Sequence, residues 1–282
     1  MVVPYKLEPT PWRVVWAKGQ RGLLEIEDAH VDTALQRPVS IKSLSPGPGS
    51  KRRHLGDSMT MQLRSDPHAL QPLFRAGPPP EQAEATVVLL HGRGASAESM
   101  LSLYGQLILP TIAALAPQAA GSTWYPHSFL APIEANQPFL DSALNRIESL
   151  VGDLLAREVQ SDRIALLGFS QGACLTAEFV ARHPRRYAAV IAFTGALIGP
   201  PGTARNYAGS LHGTPVFLGT GDPDPHVPFE QVKETAAVLK RLGAEVELRR
   251  YPGMPHMINE DELAAARSYL LPMAAKEVQD NV

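Results

Sequence analysis

The chain has 282 residues, 44% of them apolar and 19% charged, with a formal net charge of −2. That length can carry one large domain with a substantial core, and the near-neutral balance excludes a general attraction to nucleic acid or anionic membranes. A single cysteine, Cys174, excludes an internal disulfide framework, and neither the N-terminus nor the apolar stretch around residues 188–198 is suited to targeting or spanning, so a soluble, cytoplasmic protein without stable membrane insertion is expected.

In chain order, residues 1–58 differ from the rest of the chain. They offer one strand-like run, Trp12-Arg13-Val14-Val15-Trp16, and then polar sequence without a period. Residues 45–54 combine Pro, Gly and a basic triplet, the composition of a solvated linker. Residues 1–57 hold nine of the 26 Lys/Arg and six of the 28 Asp/Glu, whereas the remainder is acidic. The division expected is a poorly ordered N-terminal extension over 1–58 and a globular domain over 59–282. The opposing reading is that residues 12–16 dock as an added edge strand.

From residue 61 onward the pattern becomes regular. A short strand is expected within 70–75 and a buried parallel strand over 86–90, where Thr86-Val87-Val88-Leu89-Leu90 is β-branched and apolar throughout. Residues 97–115 read as a helix broken or kinked at Pro110, with a short strand candidate at 114–118 and an aromatic-rich loop over 121–132. Leucines and Ile147 at helical spacing mark a long amphipathic helix over 139–159. A strand at 163–167 and a helix at 173–181 come next. Strands at 188–193, 216–218 and 246–251 then alternate with helices at 229–242 and from 259 to about 275. This alternation implies an α/β protein with a mostly parallel sheet.

Between the strand at 163–167 and its helix stands Gly168-Phe169-Ser170-Gln171-Gly172. Strand, G-x-S-x-G and helix together describe a nucleophile elbow, a turn so tight that only glycine-sized neighbours fit beside the serine. Ser170 needs a general base, because an unassisted hydroxyl is a poor nucleophile. Of nine histidines, His256 is the candidate: Gly253-Met254-Pro255-His256 comes after the last strand, where such a sheet presents its site. His91 is read as a brace of its turn, His183 as a helix-end cap, and His68 as lying outside the strand-end loops. The acid belongs between serine and histidine. Gly221-Asp222-Pro223-Asp224-Pro225-His226-Val227-Pro228 supplies two aspartates, and spacing alone does not choose between them; the second would brace the loop by bonding backbone N–H groups. His91-Gly92-Arg93-Gly94 is a glycine-rich turn able to aim a backbone N–H at a tetrahedral oxyanion. The donors would be the amides of Arg93 and Gln171, each worth about 3–4 kcal/mol in the transition state.

These motifs, with Leu115-Ala116-Pro117-Gln118 and Trp124-Tyr125, resemble the phospholipase/carboxylesterase family, which includes bacterial carboxylesterases and acyl-protein thioesterases. The resemblance covers about residues 63–271. It implies an α/β-hydrolase fold and ester-cleaving activity; the interval between Phe193 and Pro215 is too short for a large cap domain, and the partner expected is a small-molecule ester, with no metal or cofactor and with room for a homodimer. By position it implies Asp224 as the triad acid and Asp222 as auxiliary. One departure is Arg93, where thioesterase members carry a small apolar residue; a bulky cation there argues against a lipidated-protein substrate. Its side chain is expected either to attract acidic esters at the pocket mouth or to form a surface ion pair. The chain is therefore read as a serine hydrolase of short acyl or small aromatic esters acting through Ser170, His256 and Asp224. The pocket is expected to be open, shallow and lined by Trp124, Phe129, Leu130 and Met254. The alternatives are a thioesterase or lysophospholipase, and a non-catalytic binding domain.

Overall fold

A computed structural model describes residues 66–271 of the chain. The proposed boundary at residue 58, the strand-like run 12–16 and the end of the last predicted helix all lie outside the described residues.

Apolar runs without alternation need cover on both faces, and that is where they lie. The strands are β1 (Leu73–Ala76), β2 (Ala85–Leu90), β3 (Ile112–Pro117), β4 (Ile164–Phe169), β5 (Ala189–Phe193), β6 (Pro215–Asp222) and β7 (Glu245–Pro252). They form one sheet in the order β1-β3-β2-β4-β5-β6-β7. Every neighbouring pair is parallel except β1 with β3. The helices are α1 (Ala97–Leu107), α2 (Phe139–Ala156), α3 (Gln171–Arg182), α4 (Phe229–Arg241) and α5 (Glu260–Leu270). Alternate residues along each central strand point to opposite layers. Leu166, Val190 and Leu218 join the cluster that includes Leu144, Phe179 and Val232 of α2, α3 and α4. Leu167, Ile191 and Phe217 join Met100 and Leu103 of α1 and Ala266 of α5.

One expectation is overturned. The helix expected over 97–115 with a break or kink at Pro110 ends at Leu107, Ile108 takes a left-handed φ of 51°, and the strand expected at 114–118 is β3, which begins two residues earlier at Ile112. Ile-Ala-Ala-Leu-Ala has good helix propensity, but propensity is a weak local preference. The run sits between β1 and β2, where its backbone groups find ladder partners. Pro110, which has no N–H to donate, falls in the intervening turn. At the other end of the sheet, β6 is longer than the expected 216–218 because pairing with β7 continues to Asp222 opposite Pro252. That extension delivers the loops after β6 and β7 side by side. Between β5 and β6 the chain forms no helix or strand, so no cap domain is inserted there. Among the described residues, no helix is long and apolar enough to cross a membrane.

The turn between β4 and α3 sets the tightest packing in the sheet. A Cβ on Gly172 would lie 2.1 Å from the Leu90 carbonyl oxygen, and one on Gly168 would lie 2.3 Å from the Gly172 carbonyl oxygen. Both obstacles are backbone and cannot swing aside. Gly172→Ala is therefore expected to lower the unfolding free energy in urea by about 1–3 kcal/mol or more. Gly152→Ala, in α2 where a Cβ meets open space, should instead add about 0.5–1 kcal/mol. Equal effects of the two substitutions would contradict this packing.

Candidate active site

The site begins with a strained residue. Ser170 leaves β4 with φ 54° and ψ −118°, a conformation that a non-glycine residue adopts only when its surroundings hold it there. Its N–H donates to the Phe193 carbonyl at 2.9 Å, and its own carbonyl accepts from the Cys174 N–H at 2.9 Å. Sheet and helix thus each fix one side of its peptide.

His256 reaches Ser170 from the loop after β7. Its Nε2 lies 2.8 Å from Ser170 Oγ, and its Nδ1 lies 2.7 Å from Asp224 Oδ2. An ionised carboxylate can only accept, so Nδ1 carries the proton and Nε2 presents its lone pair to the serine hydroxyl. Asp224 Oδ1 accepts from the backbone N–H groups of His226 at 2.7 Å and Val227 at 2.8 Å. Burial opposes ionisation of Asp224, yet the bonds from His256, Val227 and His226 hold its carboxyl below the usual range. Asp222 lies apart from this chain, its carboxylate paired with the Arg250 guanidinium. The backbone bonds expected of the auxiliary aspartate belong to Asp224 instead. His226 packs edge-on to the His256 ring at 4.8 Å.

Cys174 is buried, and burial pushes its thiol up to about 12, so it presents no second nucleophile.

The two amides proposed for the oxyanion belong to residues whose side chains are engaged elsewhere. Neither the Arg93 nor the Gln171 backbone N–H is taken up by another described residue. Among the described residues the Arg93 side chain has no ion-pair partner, and its guanidinium is bonded to Thr123, Pro126 and His127. Trp124 and Phe129 are buried in the core, with Leu130 packed against it, rather than exposed at an opening. The Met254 sulfur accepts from the Asn259 side-chain amide at 2.9 Å. A narrow apolar hollow, partly open to solvent, lies beside Gly92 and Phe169. Its walls include Gly92, Ala95, Met100, Leu103, Phe169 and Ile258. The Phe169 ring is 5.3 Å from that of His256. Nothing in the periodicity of α1 separates wall residues from ordinary core, so sequence reasoning had no signal for them.

A pair of buried histidines supports the loop over the site. His91 accepts the Ala119 N–H at Nε2 (3.0 Å) and donates from Nδ1 to the Gly92 carbonyl (2.8 Å). His68 accepts the Ala120 N–H at Nδ1 and donates from Nε2 to the Trp124 carbonyl, both at 3.0 Å. Burial lowers the pKa of both rings, which keeps them in the neutral form these bonds require. The brace role expected of His91 matches its contacts. That of His68 was missed, because its partners are 52 and 56 residues away. Among the described residues, no group of three or more His, Cys, Asp or Glu is placed to hold a metal ion.

Residues 75–273 match the sequence profile of the phospholipase/carboxylesterase family. The chain belongs to that family. A crystal structure of a phospholipase/carboxylesterase from Dyadobacter fermentans is 44% identical, with a TM-score of 0.69, over 71% of this chain and 96% of that one. Its likeness confirms the α/β-hydrolase fold. Acyl-protein thioesterase 1 of Debaryomyces hansenii is 32% identical over 40% of this chain and 49% of its own length. A probable carboxylesterase of Arabidopsis thaliana, SOBER1-like, is 25% identical over 49% of this chain and 55% of its own. The chain thus spans about half the length of these two relatives.

One further titratable group of this phospholipase/carboxylesterase member lies beneath the histidine loop. Glu262 closes a capping box on α5: its Oε2 accepts the Asn259 N–H at 2.9 Å, and the Asn259 side chain accepts the Glu262 N–H at 2.8 Å. Its Oε1 is buried against Gly219 without a hydrogen-bond partner among the described residues. Burial pushes this carboxyl up to about 8. A folded pKa above the unfolded one means stability that is complete below about pH 4.5 and lost as pH rises toward 8. Glu262→Gln keeps the capping geometry and cannot ionise. It should flatten the fall in unfolding free energy between pH 4.5 and 8, which in the native chain approaches about 1.4 kcal/mol per pH unit. Parallel pH profiles for the two proteins would show that Glu262 does not titrate in this way.

Proposed function

We propose that this chain is a serine hydrolase of carboxylic esters with short acyl groups. The observation that carries the proposal is the hydrogen-bonded series Ser170–His256–Asp224, continued into the backbone at His226 and Val227. His256 Nε2 takes the Ser170 proton as Oγ attacks the acyl carbonyl. Asp224 holds the ring in the tautomer that makes this possible and stabilises the imidazolium that results. The tetrahedral oxyanion forms against the Arg93 and Gln171 N–H groups, the latter at the start of α3, where negative charge is favoured. His256 then returns its proton to the leaving alcohol, and water repeats the cycle on the acyl-enzyme.

The narrowness of the apolar hollow beside Phe169 supports short substrates. The single buried thiol supports a cytoplasmic setting. The thioesterase name of the Debaryomyces hansenii relative supports a second reading, thioester cleavage by the same three side chains. Matched ester and thioester series from two to sixteen acyl carbons separate the two; faster turnover of every thioester would favour the second.

Ser170→Ala is expected to remove hydrolysis and labelling by a fluorophosphonate probe, with kcat lower by about 10⁶ and an unchanged melting temperature. Substantial activity in the purified variant would overturn the mechanism.

The two aspartates give a sharper comparison. Asp224→Asn should lower kcat by roughly 10⁴, since the histidine loses the partner that fixes its tautomer. Asp222→Asn breaks a half-exposed ion pair with Arg250, so it should cost at most about 1 kcal/mol of stability. It should leave kcat within severalfold of wild type. The reverse ranking would assign the acid to Asp222.

A further inference from the structure

The two residues whose amides would hold the oxyanion come from different strands and have no covalent reason to keep a fixed separation. Arg93 lies beyond the end of β2, and Gln171 lies just after β4. Their side chains nevertheless end on the same stretch, residues 123–127. Arg93 Nη1 donates to Thr123 Oγ1 at 3.1 Å and to the Pro126 carbonyl at 2.8 Å, and Nη2 donates to the His127 carbonyl at 2.5 Å. Gln171 Oε1 accepts from the Trp124 N–H at 2.9 Å, and its Nε2 donates to the Tyr125 carbonyl at 2.8 Å. One atom touches both side chains: Thr123 Oγ1, which accepts from Arg93 and whose one proton faces both Gln171 Oε1 at 3.2 Å and the Tyr125 carbonyl at 3.1 Å, the latter itself the acceptor of Gln171 Nε2. A hydroxyl has one proton to give and two lone pairs to receive, so it can accept from Arg93 while donating to one of these acceptors, and either one leads to the Gln171 side-chain amide. The same loop is tied to the oxyanion turn by the Gly94 N–H on the Ser122 carbonyl (2.7 Å) and by Trp124 Nε1 on the His91 carbonyl (2.9 Å).

Resting on the ester-hydrolase reading above, we infer that Thr123 is the positioning residue of the oxyanion site. Its hydroxyl joins the Arg93 and Gln171 side chains into one bridge and thereby sets the distance between their backbone amides. Both donors must lie about 2.7–3.1 Å from the charge that develops on the carbonyl oxygen, so a shift of a few tenths of an ångström weakens the transition state more than the bound ester. This also assigns the Arg93 guanidinium a use other than substrate recognition: three of its hydrogen bonds point into the loop.

Thr123→Val removes the hydroxyl at nearly constant shape. The expected result is a kcat about ten- to a hundredfold lower, less than the loss from deleting a donor outright, with KM within twofold. Affinity for an alkyl boronic acid, which forms a tetrahedral anion on the serine, should fall by the same factor as kcat/KM. Thr123→Ser should restore both. If Thr123→Val does not fold, Arg93→Leu removes the exposed half of the bridge, keeps the backbone amide and should lower kcat equally for neutral and acidic esters. Unchanged kcat and boronate affinity in the folded variant would overturn the positioning role alone, as would a rise confined to KM. An intact wild-type chain that neither cleaves esters nor takes the fluorophosphonate would overturn the underlying reading, and this inference with it.

Discussion

The close approach of backbone to backbone around Ser170 is the constraint on which the rest depends. Gly172 touches the end of β2 and Gly168 touches the first turn of α3, with no room for a Cβ at either. The helix can then start directly on the strand end, and the serine is left with a positive φ that neighbouring hydrogen bonds hold in place. A wider turn would lower the strain but would withdraw Oγ from His256. The strain and the approach of Oγ to His256 therefore have one origin.

From that fixed point the other parts are brought in by sheet register. The β6–β7 pairing runs as far as Asp222 and Pro252, so the loops after these two strands leave the sheet at the same height. Asp224 and His256 meet there, although 32 positions separate them in the chain. The Asp224 carboxylate is anchored twice by its own loop before it reaches the imidazole, which fixes the ring orientation without help from solvent. On the opposite flank, the neutral rings of His68 and His91 hold residues 119–124, and the overlapping stretch 123–127 receives the Arg93 and Gln171 side chains. Each layer orients the next, from buried imidazole to loop to backbone amide.

Much of this was legible in the sequence because it is written locally. The elbow is a contiguous motif whose glycines have a steric reason, and the strands announce themselves as apolar runs. The helix α2 shows its buried face through Leu140, Leu144, Ile147 and Leu150. The order of serine, acid and histidine reflects the chain direction of the sheet. Where local preference and tertiary position disagreed, the sequence was ambiguous: residues 112–115 favour a helix in isolation and 114–118 also read as a strand, and the gap between β1 and β2 decided for the strand.

By itself, then, the sequence determined the α/β alternation, the elbow at Ser170 and the candidacy of His256, since each rests on neighbours in the chain. The division of labour between Asp222 and Asp224 could not be read from spacing; it depends on which carboxylate faces His256 and which faces Arg250 across β7. The same holds for the hollow beside Phe169, the burial of Trp124 and the bridge through Thr123. A side chain's exposure and partners are properties of the space around it, and that space is assembled from segments far apart in the chain.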